Sequence, residues 1–129
     1  IFATAAPPLL ACALSASLGL IAQEEQRRVC LRQRIAQLRA GLAALLPGTG
    51  WQLGNSATAI QPLVIGRNDA ALAVMEGLRT RGLWVPAIRP PTVPEGTARL
   101  RIALSAVHTA ADIDCLLQAL AELARQQPT

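Results

Sequence analysis

The sequence predicts an α+β domain in which a short sheet is covered on one face by helices, in the order α-α-β-α-β-β-α. Three observations predict it. Leu31, Ile35, Leu38, Leu42 and Leu45 recur at alternating four- and three-residue steps, the signature of an amphipathic helix. Residues 98–104 alternate between Leu100, Ile102 and Leu104 on one side and Arg99, Arg101 and Ala103 on the other, the signature of a strand with one buried face. Proline and glycine then divide the 129 residues into segments too short for anything but small layers.

The elements follow in order. Residues 1–23 carry no charge, and Pro7-Pro8 starts a helix that runs to about residue 22. Its apolar stretch, Leu9 to Ala22, is too short and too diluted by Ala and Ser to span a membrane, and no positive segment precedes it as in a signal peptide. A buried helix is expected. A second helix runs from Glu24 to about Leu46 and stops at Pro47-Gly48, with Arg27, Arg28, Arg32, Arg34 and Arg39 read as its solvated side. Ile60 to Ile65 reads as a strand, with Pro62 marking an edge or an irregularity. Asn68 or Asp69 caps a helix that Gly82 ends. Leu83 to Ile88 is the next strand, and a βαβ unit of this kind implies a mixed sheet. After the strand at 98–104, Thr109-Ala110-Ala111-Asp112 resembles a capping box, opening a last helix with Ile113, Leu116, Leu117, Leu120 and Leu123 on its apolar side.

Composition excludes several classes of function. The net charge of +4 is scattered, and two tryptophans, one phenylalanine and no tyrosine leave no aromatic platform for bases, so nucleic acid is not an expected partner. Cys12, Cys30 and Cys115 are odd in number, far apart and set among helical apolar residues. They read as buried free thiols of a reducing cytoplasm. With His108 the only histidine, no metal site is expected.

The chemistry concentrates in Ile88-Arg89-Pro90-Pro91-Thr92-Val93-Pro94-Glu95-Gly96-Thr97-Ala98-Arg99-Leu100-Arg101. Three prolines stiffen a loop that leads into a strand bearing two outward arginines. An outward arginine on a small domain is either a solvated edge charge or, beside such a loop, a planar clamp for a carboxylate. Thr92 offers a hydroxyl in a nearly fixed place, or serves as a turn residue.

These residues resemble a known family. Ile88 to Leu104, followed by Ser105-Ala106-Val107-His108-Thr109, is similar to the C-terminal signature of the α-oxoamine synthases, pyridoxal-phosphate enzymes of the aspartate-aminotransferase fold type. Phe2 to Pro8 is similar to the segment that follows the family's cofactor lysine, and Ser56 to Gly66 to its "S-x-I-x-P-[IV]-x-x-G" strand. The pattern is nearest to the members that join alanine to a pimeloyl thioester. The glycine-using 5-aminolevulinate synthases share the Thr92-Val93-Pro94 and Gly96 core without the Arg89-Pro90 pairing. The 2-amino-3-ketobutyrate ligases and serine palmitoyltransferases depart further around Pro91-Thr92.

The resemblance implies a C-terminal small domain, residues 48–129, behind junction helices at 1–47, in a cytoplasmic homodimeric acyltransferase of biotin biosynthesis. It implies L-alanine and pimeloyl-CoA or a pimeloyl carrier protein as substrates and no membrane partner. Arg101 matches the arginine that anchors the amino-acid carboxylate, Thr92 a substrate-contacting threonine, and Arg89 a position on the acyl side. Thr4 matches a threonine that reaches the cofactor phosphate of the neighbouring subunit. Arg99 and His108 are read as structural. All twelve basic residues are arginine, so no side chain here can provide the lysine amine that anchors the cofactor. That lysine, the aspartate against the pyridine nitrogen and the ring-stacking histidine are expected upstream of Ile1, and the chain on its own is expected to be inert and prone to self-association through its first helix. A stand-alone, non-catalytic α+β module is the contrasting expectation.

Overall fold

The computed structural model describes residues 5–126. Four helices and four strands follow one another as α1 (Pro8–Gln23), α2 (Glu25–Leu45), β1 (Gln52–Leu53), β2 (Ile60–Gly66), α3 (Asn68–Arg79), β3 (Ala87–Ile88), β4 (Ala98–Ala103) and α4 (Ala110–Gln126). The α+β class and the helix-covered sheet are as expected. The order differs by one strand, because β1 is only two residues long and carries no period to read.

The sheet order is β1-β2-β4-β3, and each neighbouring pair is antiparallel. The expected mixed sheet is therefore corrected. β2 and β3 run in the same direction on either side of α3, but β4 inserts between them and pairs antiparallel with both. Only Ala87 and Ile88 of the expected 83–88 strand are in the ladder, and Trp84 and Pro86 lie before it.

Alternation in β4 places Ala98, Leu100 and Ile102 inside, with Leu104 just beyond the strand also buried. They meet Leu63 of β2, Ile35, Leu38 and Leu42 of α2, Val74 and Leu78 of α3, and Ile113, Leu116, Leu120 and Leu123 of α4 in one core. Each fully buried leucine in it contributes roughly 1.5–3 kcal/mol. Gly41 lets α2 approach α4 closely, since a Cβ there would lie 2.3 Å from a methyl of Leu117.

The helix ends are satisfied locally. Thr109 and Asp112 form the expected capping box: the Thr109 N–H donates to Asp112 Oδ2 at 2.7 Å, and the Asp112 N–H donates to Thr109 Oγ1 at 3.2 Å. The Thr109 backbone N–H, then its hydroxyl, hold the Asp112 carboxyl below the usual carboxylate range. Gly82, at φ +77°, ends the turn after α3, where the Leu83 N–H reaches back to the Leu78 carbonyl at 3.0 Å. At the start of α3 the cap position is Arg67, with no side-chain cap. Asp69 sits in the first turn and pairs with Arg67 instead of capping, which corrects the expected Asn68 or Asp69 cap.

Two burial expectations are also corrected. α1 is apolar on all sides and buries no residue against the described chain: Leu9 is 80% exposed and Leu18 66%. Cys12 is exposed because α1 packs against nothing in the described chain, Cys115 is exposed on α4, and Cys30 is half-buried on α2. No helix among the described residues is long and apolar enough to cross a membrane.

Candidate substrate-binding face

The helices cover one face of the sheet and leave the other open. On that open face Pro62 stands opposite Arg101, and Val64 and Ile88 stand on either side of Arg99. The outward arginines thus rise from the central strand, between apolar neighbours on both sides. β4 is held from both edges: the Arg101 N–H donates to the Pro86 carbonyl at 2.9 Å, and Leu100 pairs with both Leu63 and Ala87.

What the arginines do separates them. Arg27, Arg28, Arg32, Arg67, Arg79 and Arg81 each pair with a carboxylate. Arg99 is half-buried and donates from Nε to the Thr97 carbonyl at 3.0 Å. Arg101 is exposed, and among the described residues its guanidinium meets no acceptor; the same holds for Arg89. A planar five-donor fork on a fixed strand, with none of its donors used, is suited to a carboxylate arriving from outside.

The loop before β4 consists of two turns. In the first, the Thr92 N–H donates to the Arg89 carbonyl at 3.0 Å across the cis Pro90-Pro91 peptide, the arrangement of a type VI turn. In the second, the Thr97 N–H and hydroxyl both donate to the Pro94 carbonyl, at 3.2 and 2.7 Å, with Gly96 at φ +73°. That positive φ is the conformation in which glycine is favoured. Arg89 and Thr92 are therefore the two ends of one turn and both are exposed, whereas Arg101 lies along β4 beyond the second turn. No side-chain hydrogen bond joins the three among the described residues. Thr4 lies outside them.

The concavities of the domain are elsewhere. One lies between α2 and α4 at Gly41, Ala44 and Ala121, and another beside Trp84, His108 and Asp112; neither includes Arg89, Thr92 or Arg101. The arginine face is a wall rather than a pocket. His108 accepts the Ser105 N–H on Nδ1 at 3.1 Å and so shapes the turn into α4, consistent with a structural reading. Among the described residues no group of three or more His, Cys, Asp or Glu gathers to hold a metal.

Arg39 is not a solvated side chain, which corrects the expectation for that side of α2. It is half-buried, and its Nη1 donates to the carbonyls of Gly54 and Ser56, at 3.2 and 3.1 Å, and to Oε1 of Gln61 at 2.7 Å. Gln61 is fully buried. Helical periodicity places a residue on a side but does not reveal that a loop folds back over it.

The chain belongs to the family of class I and II aminotransferases, whose model matches residues 1–120. It is 74% identical over 125 residues to 8-amino-7-oxononanoate synthase 1 of Polaromonas sp. (strain JS666 / ATCC BAA-500), covering 97% of the chain and 31% of that protein. It is 70% identical over 128 residues to the 8-amino-7-oxononanoate synthase of Delftia acidovorans (strain DSM 14801 / SPH-1), covering 99% of the chain and 32% of the relative. The chain thus spans about a third of the length of these relatives. Among solved structures, a serine palmitoyltransferase of Sphingomonas wittichii matches with TM-score 0.85 at 26% identity, over 98% of the chain and 31% of that structure. An 8-amino-7-oxononanoate synthase of Francisella tularensis matches in fold with TM-score 0.78 at 23% identity, over 98% and 35%.

Proposed function

We propose that this chain is the carboxylate-binding C-terminal part of a pyridoxal-phosphate-dependent 8-amino-7-oxononanoate synthase, which condenses L-alanine with a pimeloyl thioester and releases CO2. The observation that carries the reading is the unused guanidinium of Arg101 on the open face of a strand held from both sides. High identity to relatives bearing that name supports the choice of enzyme.

Arg101 holds the alanine carboxylate through two parallel N–H donations, which restrict rotation of the bound amino acid. The alanine Cα–H is thereby held at a set angle, and attack on the wrong bond is disfavoured. Thr92 presents its hydroxyl to the substrate from the first loop turn, and Arg89, at the other end of that turn, faces the acyl chain. Pyridoxal phosphate, when bound, supplies the electron sink. The described residues offer no lysine amine for it, so its anchoring belongs to the rest of the full-length enzyme, with Thr4 reaching the phosphate bound by a neighbouring subunit. Residues 48–129 then form the small domain and residues 1–47 the junction, in a cytoplasmic homodimer.

The test is product formation by the full-length protein. Supplied with L-alanine and pimeloyl-CoA, it yields 8-amino-7-oxononanoate by mass spectrometry, and with glycine and a short acyl-CoA it yields at most a trace. Preference for glycine would move the assignment to another synthase of the same kind. No product from either pair would favour a non-catalytic module.

A further inference from the structure

We propose that Arg39 is a positioning residue for amino-acid binding, setting the place of Arg101 through the Gln61-Pro62 step of β2; this rests on reading Arg101 as the carboxylate anchor.

One main-chain donor is missing between β1 and β2. β1 and β2 are antiparallel, with Leu53 opposite Leu63, so the next rung joins Gly54 to Pro62. The Gly54 N–H donates to the Pro62 carbonyl at 2.8 Å. Such a rung normally exchanges two bonds, but proline has no N–H to return. Arg39 Nη1 takes the orphaned Gly54 carbonyl instead, reaching across from α2 at 3.2 Å. The same atom donates to the Ser56 carbonyl and to Gln61 Oε1, while Gln61 Nε2 donates to the carbonyls of Ser56 and Thr58 at 3.1 and 2.6 Å. One guanidinium therefore fixes the segment on which β1 leaves and β2 begins. Gln61 is the buried polar side chain of the described core, and Arg39 is the charged partner that makes its burial tolerable.

The consequence reaches Arg101 in one step. Pro62, next to Gln61, is its cross-strand partner. The Arg101 N–H points away to Pro86, so this rung lacks main-chain bonds, and that type of rung brings side chains closest. The proline ring is thus a wall for the Arg101 stem, and Arg39 holds the wall.

The experiment uses the full-length protein with Arg39→Met, which keeps the stem and removes the donors, and Arg39→Lys, which keeps one charged donor. The expected result for Arg39→Met is L-alanine binding weakened about tenfold by calorimetry, with the KM for the thioester changed less than twofold. Arg39→Lys recovers part of the loss and stands as the measured variant if Arg39→Met does not fold. Combined with Arg101→Lys, either Arg39 variant adds little to the loss from Arg101→Lys alone. Equal weakening of both substrates, or full additivity with Arg101→Lys, would overturn the proposal. If Arg101→Lys weakens alanine binding and neither Arg39 variant does, the proposal falls and the anchor stands. If Arg101→Lys leaves alanine binding unchanged, both fall.

Discussion

Arg99 and Arg101 share one face of β4 but are committed differently: Arg99 turns back to the Thr97 carbonyl at 3.0 Å, and Arg101 extends into the open. Two identical side chains, two residues apart, thus tie down a loop and present a donor fork.

That difference makes the first prediction. Arg101→Lys in the full-length protein weakens L-alanine binding by about 10- to 100-fold, the worth of a charged bidentate contact reduced to a point charge. Arg99→Lys changes it by about threefold or less, since its main partner is a carbonyl of its own loop. Because Arg101 is exposed, its loss shifts folding stability by under about 0.5 kcal/mol. Calorimetry with L-alanine and thermal melts check the two halves, and equal effects of the two variants would contradict the assignment.

Much of this was legible in the sequence, and the misses share a cause. The alternation of Leu100, Ile102 and Leu104 and the Thr109–Asp112 box are local patterns, and the structure reproduces both. The insertion of β4 between β2 and β3 is not local, and no periodicity encodes which strand neighbours which. Arg39 looked like one solvated arginine among several because its acceptors lie 15 to 22 residues further along the chain. Pro62 does not mark an edge, and the register shift of β2 lies between Val64 and Gly66, not at the proline. β2 is interior, and the proline is tolerated because its missing donor faces the rung where β1 ends.

A second prediction concerns the centre of the core. Leu100 is fully buried in the middle strand, and Leu100→Ala costs about 2–5 kcal/mol through lost burial and the cavity left behind. Denaturant unfolding of the full-length protein measures it. A cost below about 1 kcal/mol would mean that the core closes over the gap.

The third prediction is a pH dependence. Asp112 is held below the usual carboxylate range by the Thr109 N–H and hydroxyl, and Asp69, through Arg67 first and then the Ala70 N–H, is lowered to about 2. Both carboxyls are more acidic folded than unfolded. Their stabilisation is therefore complete above the ordinary value of 3.8 and is lost as pH falls through the folded values. Carbon-detected NMR titration shows both midpoints below those of model peptides. Thr109→Ala moves the Asp112 midpoint upward and leaves that of Asp69 in place.

The fourth prediction follows from α1. With Leu9, Leu14, Leu18 and Ile21 all more than half exposed, residues 1–129 produced alone associate through this helix, and light scattering reports species larger than one chain. Leu14→Glu with Leu18→Glu shifts them toward single chains. A single-chain species of the unaltered sequence at high concentration would show that the helix folds back on its own domain.

The position of β4 between β2 and β3 also bears on the order in which the protein is made. β2 and β3 emerge from the ribosome before β4, yet in the finished sheet they never touch; until β4 is made, β3 has no strand partner and β2 has only the two-residue β1. Apart from the short β1–β2 pairing, no two strands are joined until residues 98–103 are complete. The arginine face and most of the sheet that supports it therefore come into being together, late in translation, and the helices made earlier have until then only a two-residue ladder to cover.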